Sequence, residues 1–308
     1  MSDIKEKKGY GDINRYSILT RVGRGKYSNV FKGKIKNGSY CVIKVLKPVR
    51  NEKIKREINI LQILDKCPNS THLLDIVKDK DTNSIALILD WAENIPLRNV
   101  MRGMGTVHIS NYIYKVLKAL QFAHKNGIMH RDIKPGNIMF DYETLEVRVI
   151  DWGLADFYKK DTDYPVRVAT RQYKGPELLL GFSKYDYSLD IWCLGCTFAS
   201  LLFEKNPFFK GKDNNDQIVK LAELFGCKEL YNYAEKYDLQ IPKEIISRIQ
   251  KYKTNNFDLL RQKAGLSKIT DEAFDLLKKM LVIDHAYRIS VEDALNHPYF
   301  SDLNNSQS

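Results

Sequence analysis

Three short runs near the start of the chain, Tyr16–Leu19, Asn29–Ile35 and Tyr40–Leu46, alternate apolar with polar residues or are apolar throughout. That period predicts β-strands. Gly23 and Gly25 lie between the first two runs. Asn37-Gly38 lies between the second and third and is a strong hairpin signal. Pro48 closes the third run. Ile54, Ile58, Leu61 and Leu64 then recur at helical spacing and predict a helix over Lys53–Leu64. Two further strands are predicted at Leu73–Lys78 and Ile85–Leu89. From about Asp90 the pattern changes. Ile109–Lys125 carries Ile113, Val116, Leu117 and Leu120 on one helical face, and Ile128–Ile150 reads as loops and short strands. Beyond Pro176 the pattern is almost all helical, with helices at Ser188–Phe203, Asn214–Leu224, Thr270–Met280 and Ser290–Asn296. The polar end, Ser301–Ser308, is expected to fray. The predicted architecture is a small, mainly β N-terminal lobe with one helix, followed by a larger helical C-terminal lobe.

Composition narrows the class. With 308 residues, 44% of them apolar, the chain can bury one large or two medium cores. No apolar run approaches the roughly 18 residues of a membrane span. Met1–Asp12 has no apolar stretch and no glycine after Met1, so neither a secretory leader nor a myristoyl anchor is expected. Five irregularly spaced cysteines argue for a reducing compartment, cytoplasmic or nuclear. Cys193 and Cys196 match C-x-x-C, but they fall in the apolar run Leu189–Leu202 with no second ligand pair nearby. They read as core cysteines. The charge is uneven: residues 1–60 hold 16 Lys/Arg against 5 Asp/Glu, a net +11 equal to that of the whole chain. A localised basic region implies an anionic partner such as phosphate, acidic protein or nucleic acid, unless it is simply a solvated face.

The first chemical candidate is Val22-Gly23-Arg24-Gly25-Lys26-Tyr27-Ser28-Asn29-Val30. Its G-x-G-x-x-S spacing is weak alone, but it sits at a hairpin tip between two predicted strands. That is the geometry of a flap over phosphates. Gly23 and Gly25 allow close backbone approach, and Val30 can cap a base. Lys44 follows within the apolar strand Cys41-Val42-Ile43-Lys44. Burying it unpaired is costly. Either it snorkels to the surface, or Glu57, thirteen residues on in the predicted helix, pairs with it and holds it against α- and β-phosphates.

The strongest signal is His130-Arg131-Asp132-Ile133-Lys134-Pro135-Gly136-Asn137, between a predicted helix and a predicted strand. Asp132 can accept a proton from an attacking hydroxyl, Lys134 can neutralise charge on a transferring phosphoryl group, and Asn137 can bind a metal ion. Nineteen residues after Asp132, the strand Val147–Ile150 ends in Asp151-Trp152-Gly153. Mg²⁺ prefers hard oxygen ligands, so Asp151 and Asn137 suit an ion bridging phosphates, with Mn²⁺ as an alternative ion. Trp152 reads as a packed anchor that keeps this segment from flipping out.

With these motifs the chain resembles a eukaryotic-type protein kinase from about Tyr16 to Phe300. The resemblance implies an α+β bilobal kinase fold: a small antiparallel sheet with one main helix in residues 16–91, and a mainly helical lobe in residues 92–300, flanked by tails 1–15 and 301–308. Gly175-Pro176-Glu177, Asp190 and Arg288 match structural positions of the family, with Arg288 expected to pair with Glu177. In finer detail the chain is similar to the catalytic (alpha) subunits of casein kinase II. This rests on G-R-G-K-Y-S at Gly23–Ser28, K-I-K-R-E-I at Lys53–Ile58 and G-I-M-H-R-D at Gly127–Asp132. It continues in D-W-G-L-A at Asp151–Ala155, K-G-P-E-L-L at Lys174–Leu179 and Y-D-Y-S-L-D at Tyr185–Asp190. The resemblance implies transfer of the γ-phosphoryl of ATP or GTP to Ser/Thr in acidic sequence contexts. It implies a nucleotide pocket including Val42, Met139 and Ile150, with Leu89 at its back and Asp90–Ala92 as the hinge. It also implies constitutive activity and a regulatory beta subunit in a heterotetramer of two alpha and two beta chains. Lys53, Lys55, Arg56, Arg167, Arg171 and Lys174 supply cations for an acidic substrate. Thr162, Tyr164 and Thr170 lie in the activation segment, and none is expected to be an obligatory phosphorylation switch.

Some positions depart from that family. Val49-Arg50-Asn51-Glu52 is less basic than the lysine run of relatives, and Gly136 replaces a histidine, which implies a looser catalytic loop. The tail Met1–Arg15 does not match the segment that braces the activation loop in relatives. The nearest rival is a proline-directed kinase of the cyclin-dependent or mitogen-activated groups, which usually carry Arg-Ala-Pro-Glu where this chain has Lys174-Gly175-Pro176-Glu177. A pseudokinase would normally lack one of Lys44, Asp132, Asn137 or Asp151, and all are present. A nucleic-acid-binding role leaves His130–Asn137 unexplained, and neither direct nucleic-acid contact nor a membrane partner is expected.

Overall fold

A computed structural model describes residues 9–48, 50–93 and 96–305. Residues 1–8 of the N-terminal tail, Val49 of the 49–52 cluster and residues 306–308 lie outside this description. The chain divides into two compact units, Met1–Glu93 and Asn94–Ser308.

The first unit is built on strands β1 (Tyr16–Arg24), β2 (Ser28–Ile35), β3 (Tyr40–Leu46), β4 (Leu73–Lys78) and β5 (Ile85–Asp90), with helix α1 (Asn51–Ile63) between β3 and β4. The sheet order is β1-β2-β3-β5-β4 and every pair is antiparallel. Asn37-Gly38 makes the β2–β3 hairpin as its chemistry predicts. Gly38 takes φ +97°, and the Asn37 side-chain oxygen accepts from Ser39 N–H at 3.0 Å. One sheet face gathers Cys41, Ile43, Val77, Ala86 and Ile88 into a core, with Tyr16, Phe31, Ile35 and Val45 against it. β1 runs five residues beyond its predicted end, because Gly23 and Arg24 keep pairing with Val30 and Asn29. The end of the tail follows β4, where Gly11 bridges Val77 and its N–H donates to Ile76 O at 2.9 Å.

The second unit begins with α2 (Leu97–Val100) and the long helix α3 (Thr106–Lys125). Two small two-stranded sheets follow. β6 (Ile128–Met129) pairs with β9 (Asp156–Phe157), and β7 (Ile138–Phe140) pairs with β8 (Val147–Val149). The remainder is helical: α4 (Pro176–Leu180), α5 (Ser188–Leu202), α6 (Asn214–Phe225), α7 (Cys227–Lys236), α8 (Lys243–Ile249), α9 (Phe257–Ala264), α10 (Asp271–Met280), α11 (Val291–Leu295) and α12 (Ser301–Asn305). Every residue of α5 from Leu189 to Leu202 is buried, as its unbroken apolar run requires. Cys193 and Cys196 are free thiols in that helix, and burial pushes both well up. A chain of ring contacts, Trp192–Phe225–Phe257–Phe274, ties α5, α6, α9 and α10 together at centroid distances of 5.9, 5.6 and 5.3 Å. α7, α8 and α9 were not singled out by the pattern. In α9 Phe257 is buried, while Leu259 is exposed and Leu260 half-buried, so the helix is secured mainly through Phe257. The expected fraying at 301–305 does not occur. Asn304 accepts from Tyr114 O–H at 2.9 Å and donates to Leu295 O at 3.1 Å, which anchors α12.

Candidate active site

In the first unit the glycine-rich stretch forms the β1–β2 tip. Gly25 N–H donates to Ser28 O at 2.8 Å, and Lys47 Nζ donates to Gly25 O at 2.7 Å. Tyr27 lies between two ammonium groups, with Lys26 and Lys53 Nζ at 5.2 and 5.1 Å from its ring centroid. Val22, Arg24, Gly25, Lys26 and Tyr27 are exposed, Gly23, Asn29 and Val30 half-buried, and Ser28 buried. In the β2–β3 register Lys44 stands opposite Val30, so the two side chains share a sheet face. The question left open for Lys44 is resolved in favour of the ion pair. Its Nζ lies 2.7 Å from Glu57 Oε1 on α1, with both side chains nearly buried. The pair holds the ammonium in place before any anion arrives. Lys53 is exposed and Arg56 half-buried on the same helix.

In the second unit, the loop between β6 and β7 gathers its groups around Asp132. Asp132 Oδ2 accepts from Lys134 Nζ at 2.7 Å and from Asn137 Nδ2 at 3.0 Å. Its Oδ1 accepts from Thr170 N–H and from the Thr170 hydroxyl, both at 2.8 Å. Lys134 also donates to Thr170 Oγ1 at 2.6 Å, so this hydroxyl accepts from the lysine and donates to the carboxylate. A carboxylate satisfied by four donors has a fixed direction. Asn137 uses its amide nitrogen twice, the second time to Asp132 O at 2.9 Å, which leaves its oxygen as the atom suited to a cation.

Asp190 beneath this loop, with His130 and Arg131 of the loop itself, holds its backbone. Asp190, fully buried on α5, accepts from His130 N–H at 2.9 Å, Arg131 N–H at 2.7 Å and the His124 ring at 3.0 Å. Burial opposes its charge, yet the His124 hydrogen bond and the nearby imidazoles hold its carboxyl below the usual range. His130 accepts from Asp132 N–H through Nδ1 at 3.2 Å, so its Nε2 carries the proton and donates to Ile150 O at 3.1 Å. Arg131 takes φ +66° and turns inward. There it donates to Leu154 O and the Tyr185 hydroxyl and pairs with Asp156 at 2.9 Å.

Asp151 follows β8 in the left-handed region, φ 59° and ψ 67°, a conformation uncommon for a non-glycine residue. Such conformations persist where the surroundings impose them. Ile150 N–H donates to Asn137 O at 2.9 Å just before it. Trp152 fills the interior behind, 1% exposed, its ring 4.6 Å from that of His130. Asp151 itself is exposed, while Met139 and Ile150 are half-buried nearby in sequence. Oxygens from a carboxylate and an amide match the donor preference of Mg²⁺. Among the described residues no group of three or more His, Cys, Asp or Glu gathers as a protein-only metal cage.

Arg167 and Arg171 are exposed, and Arg171 donates to Lys212 O. Lys174, expected among the open cations, departs from that picture: it is 8% exposed, because Tyr173–Leu178 turns into the interior ahead of α4. Burial, followed by the charge of Arg171, pulls its pKa down. Its ammonium makes no hydrogen bond or ion pair to any described residue, while its backbone N–H donates to Arg171 O at 3.2 Å. Thr170 carries no local sequence signal for its role in holding Asp132. Asp190 had one: a carboxylate inside an apolar helix.

Gly136 does not take a positive φ, and an added Cβ would meet nothing closer than Lys134 Cε at 3.8 Å. The loop is held by the donors to Asp132 whether or not residue 136 has a side chain. Gly136→Ala is therefore expected to raise stability by about 0.4–1 kcal/mol, by restricting the unfolded chain. A lowered denaturation midpoint would show hidden strain at this position.

A sequence-family model of the protein kinase domain matches residues 16–300. The chain belongs to the protein kinase family. The antiparallel sheet of the first unit and the helical second unit are the two parts of the bilobal kinase fold. As a member of this family it is a phosphotransferase whose co-substrate is ATP, a reaction the family typically runs with a divalent metal.

Proposed function

We propose that this chain is a serine/threonine kinase of the casein kinase II type, phosphorylating hydroxyls that are followed by acidic residues. The observation that carries the proposal is Lys174. It is a largely buried lysine whose ammonium is partly desolvated and has no counter-charge among the described residues, in the segment that also bears exposed Arg167 and Arg171. Partial desolvation disfavours the unpaired charge, and a substrate carboxylate would supply its partner. In this reading Asp132 takes the proton of the attacking hydroxyl, and Lys134 steadies the transferred phosphoryl group. Lys44 holds the α- and β-phosphates, and the β1–β2 tip covers them. Asn137 and Asp151 would hold Mg²⁺, which supplies charge neutralisation at the phosphates when bound. ATP and GTP are both expected as donors. The same reading brings in the regulatory beta subunit as partner.

Activity without activation-segment phosphorylation fits the proposal. Arg131 is already engaged by Leu154 O, the Tyr185 hydroxyl and Asp156, Tyr164 is buried with its hydroxyl donating to Phe157 O at 2.9 Å, and the Thr170 hydroxyl is engaged by Asp132 and Lys134. The test uses initial rates with ATP and Mg²⁺ on two matched peptides, one with Asp/Glu after the serine and one with proline directly after it. The expected result is a strong acidic preference that weakens with salt. Lys174→Met is expected to reduce that preference by about tenfold, the worth of one charge-assisted bond. A preference for the proline peptide would transfer the chain to the proline-directed group.

A further inference from the structure

The register of the first unit's sheet places an unexpected group beside the nucleotide-facing residues. Val30 stands opposite Lys44, Lys32 opposite Val42, Val42 opposite Leu89, and Lys34 opposite Tyr40. Opposed residues share a face, as do residues two apart on one strand. Lys32 and Tyr40 therefore lie on the same face as Val30, Val42 and Lys44. The Lys32 ammonium is held between two rings, 4.1 Å from the Tyr40 centroid and 4.3 Å from that of Trp91. Trp91 directly follows β5, and its indole N–H donates to Glu93 at 2.8 Å. On the other side of this segment, Asp90 accepts from the Thr71 hydroxyl at 2.9 Å and from His72 N–H at 2.8 Å. The run Asp90–Glu93 is thus fastened through both Asp90 and Trp91.

We propose that Lys32 is a positioning residue for nucleotide binding: sandwiched between Tyr40 and Trp91, it sets the backbone of Asp90–Ala92 to receive the base. Both distances are within cation–π range, and a partly desolvated ammonium between two aromatic faces draws them together. Without it, Trp91 loses its contact on the sheet face, and the backbone before Ala92 gains freedom that binding must then remove. The effect falls on affinity for the purine nucleotide and spares phosphoryl transfer, because Lys44, Glu57 and the catalytic loop are untouched. The proposal rests on reading Asp90–Ala92 as the segment that contacts the base.

The test is steady-state kinetics of the full chain with ATP varied at saturating acidic peptide, together with tryptophan fluorescence. Trp152 and Trp192 are at most 1% exposed, so quenching by acrylamide reports Trp91. Lys32→Met is expected to raise the KM for ATP about three- to tenfold, the equivalent of losing one or two cation–π contacts, with kcat little changed. Acrylamide quenching should rise in parallel, and Lys32→Arg should restore both values. Tyr40→Leu, which removes one ring and keeps the lysine, should shift KM in the same direction, so the proposal stays testable if Lys32→Met folds poorly. An unchanged KM in the variants that fold, or a fall in kcat matching the loss of kcat/KM, would overturn it. Ala92→Pro, which deletes one main-chain donor, separates this from the underlying reading. If Ala92→Pro weakens ATP binding and neither Lys32→Met nor Tyr40→Leu does, the positioning role alone fails. If Ala92→Pro leaves ATP binding intact, the base-contact reading fails and the proposal with it.

Discussion

Asp132→Asn is expected to lower kcat by about a hundred- to ten-thousandfold, the range lost when a positioned general base is removed. The geometry explains why so conservative a change should be so damaging. All four groups that reach this carboxylate are donors: Lys134 and Asn137 on Oδ2, and the amide and hydroxyl of Thr170 on Oδ1. An asparagine must turn its own NH₂ towards one of these pairs. The resulting donor–donor contact displaces either Lys134 or Thr170, so the variant loses both the base and the order around it. ATP affinity should persist, since the Lys44–Glu57 pair is in the other unit. The check is single-turnover phosphorylation beside ATP binding measured by calorimetry. A variant retaining a tenth of wild-type kcat would remove Asp132 from the role of base.

The second large effect concerns stability. Glu177 and Arg288 form a bidentate pair, with both bonds at 2.7 Å and both side chains fully buried. Arg288 also donates to Val282 O at 2.8 Å, Ser188 O at 3.1 Å and Ile283 O at 3.2 Å, and lies 4.8 Å from the Trp192 ring centroid. Arg288→Met strands a buried carboxylate and three carbonyls. The expected cost is about 3–5 kcal/mol, the penalty for breaking a buried pair from one side. Much of that loss should return in Glu177→Leu/Arg288→Met, because apolar side chains need no counter-charge. Urea denaturation of the four proteins in the double-mutant cycle gives the coupling. A single variant within 1 kcal/mol of wild type would show that water reaches the site.

Both effects trace to residues whose importance was legible to different degrees. Asp132, Lys134 and Asn137 share one eight-residue loop, and their spacing alone indicated phosphoryl transfer. The Lys44–Glu57 pair was legible as an alternative, since a lysine in an apolar strand must either find a carboxylate or escape to water. Thr170 lies 38 residues from Asp132 in the chain, and nothing local distinguished it from other threonines. Lys174 shares a basic segment with Arg167 and Arg171, yet it alone of the three is buried. A charge pattern carries sign and spacing, not depth, and it was the turn into α4 that buried this lysine.

From sequence alone came the five strands and one helix of the first unit, the helices α3, α5, α6 and α10 of the second, the hairpin at Asn37-Gly38, the buried character of α5 and the motif His130–Asn137. Each of these follows from a period, a turn chemistry or a motif contained within about twenty residues. Tertiary structure alone decided which donors converge on Asp132, that Asp190 anchors the loop from beneath, and that Lys32 sits between Tyr40 and Trp91. It also decided that α12 is held in place by Tyr114 and Leu295. These contacts join residues from 2 to 190 positions apart. Their energies depend on burial and register, which exist only after the chain has folded.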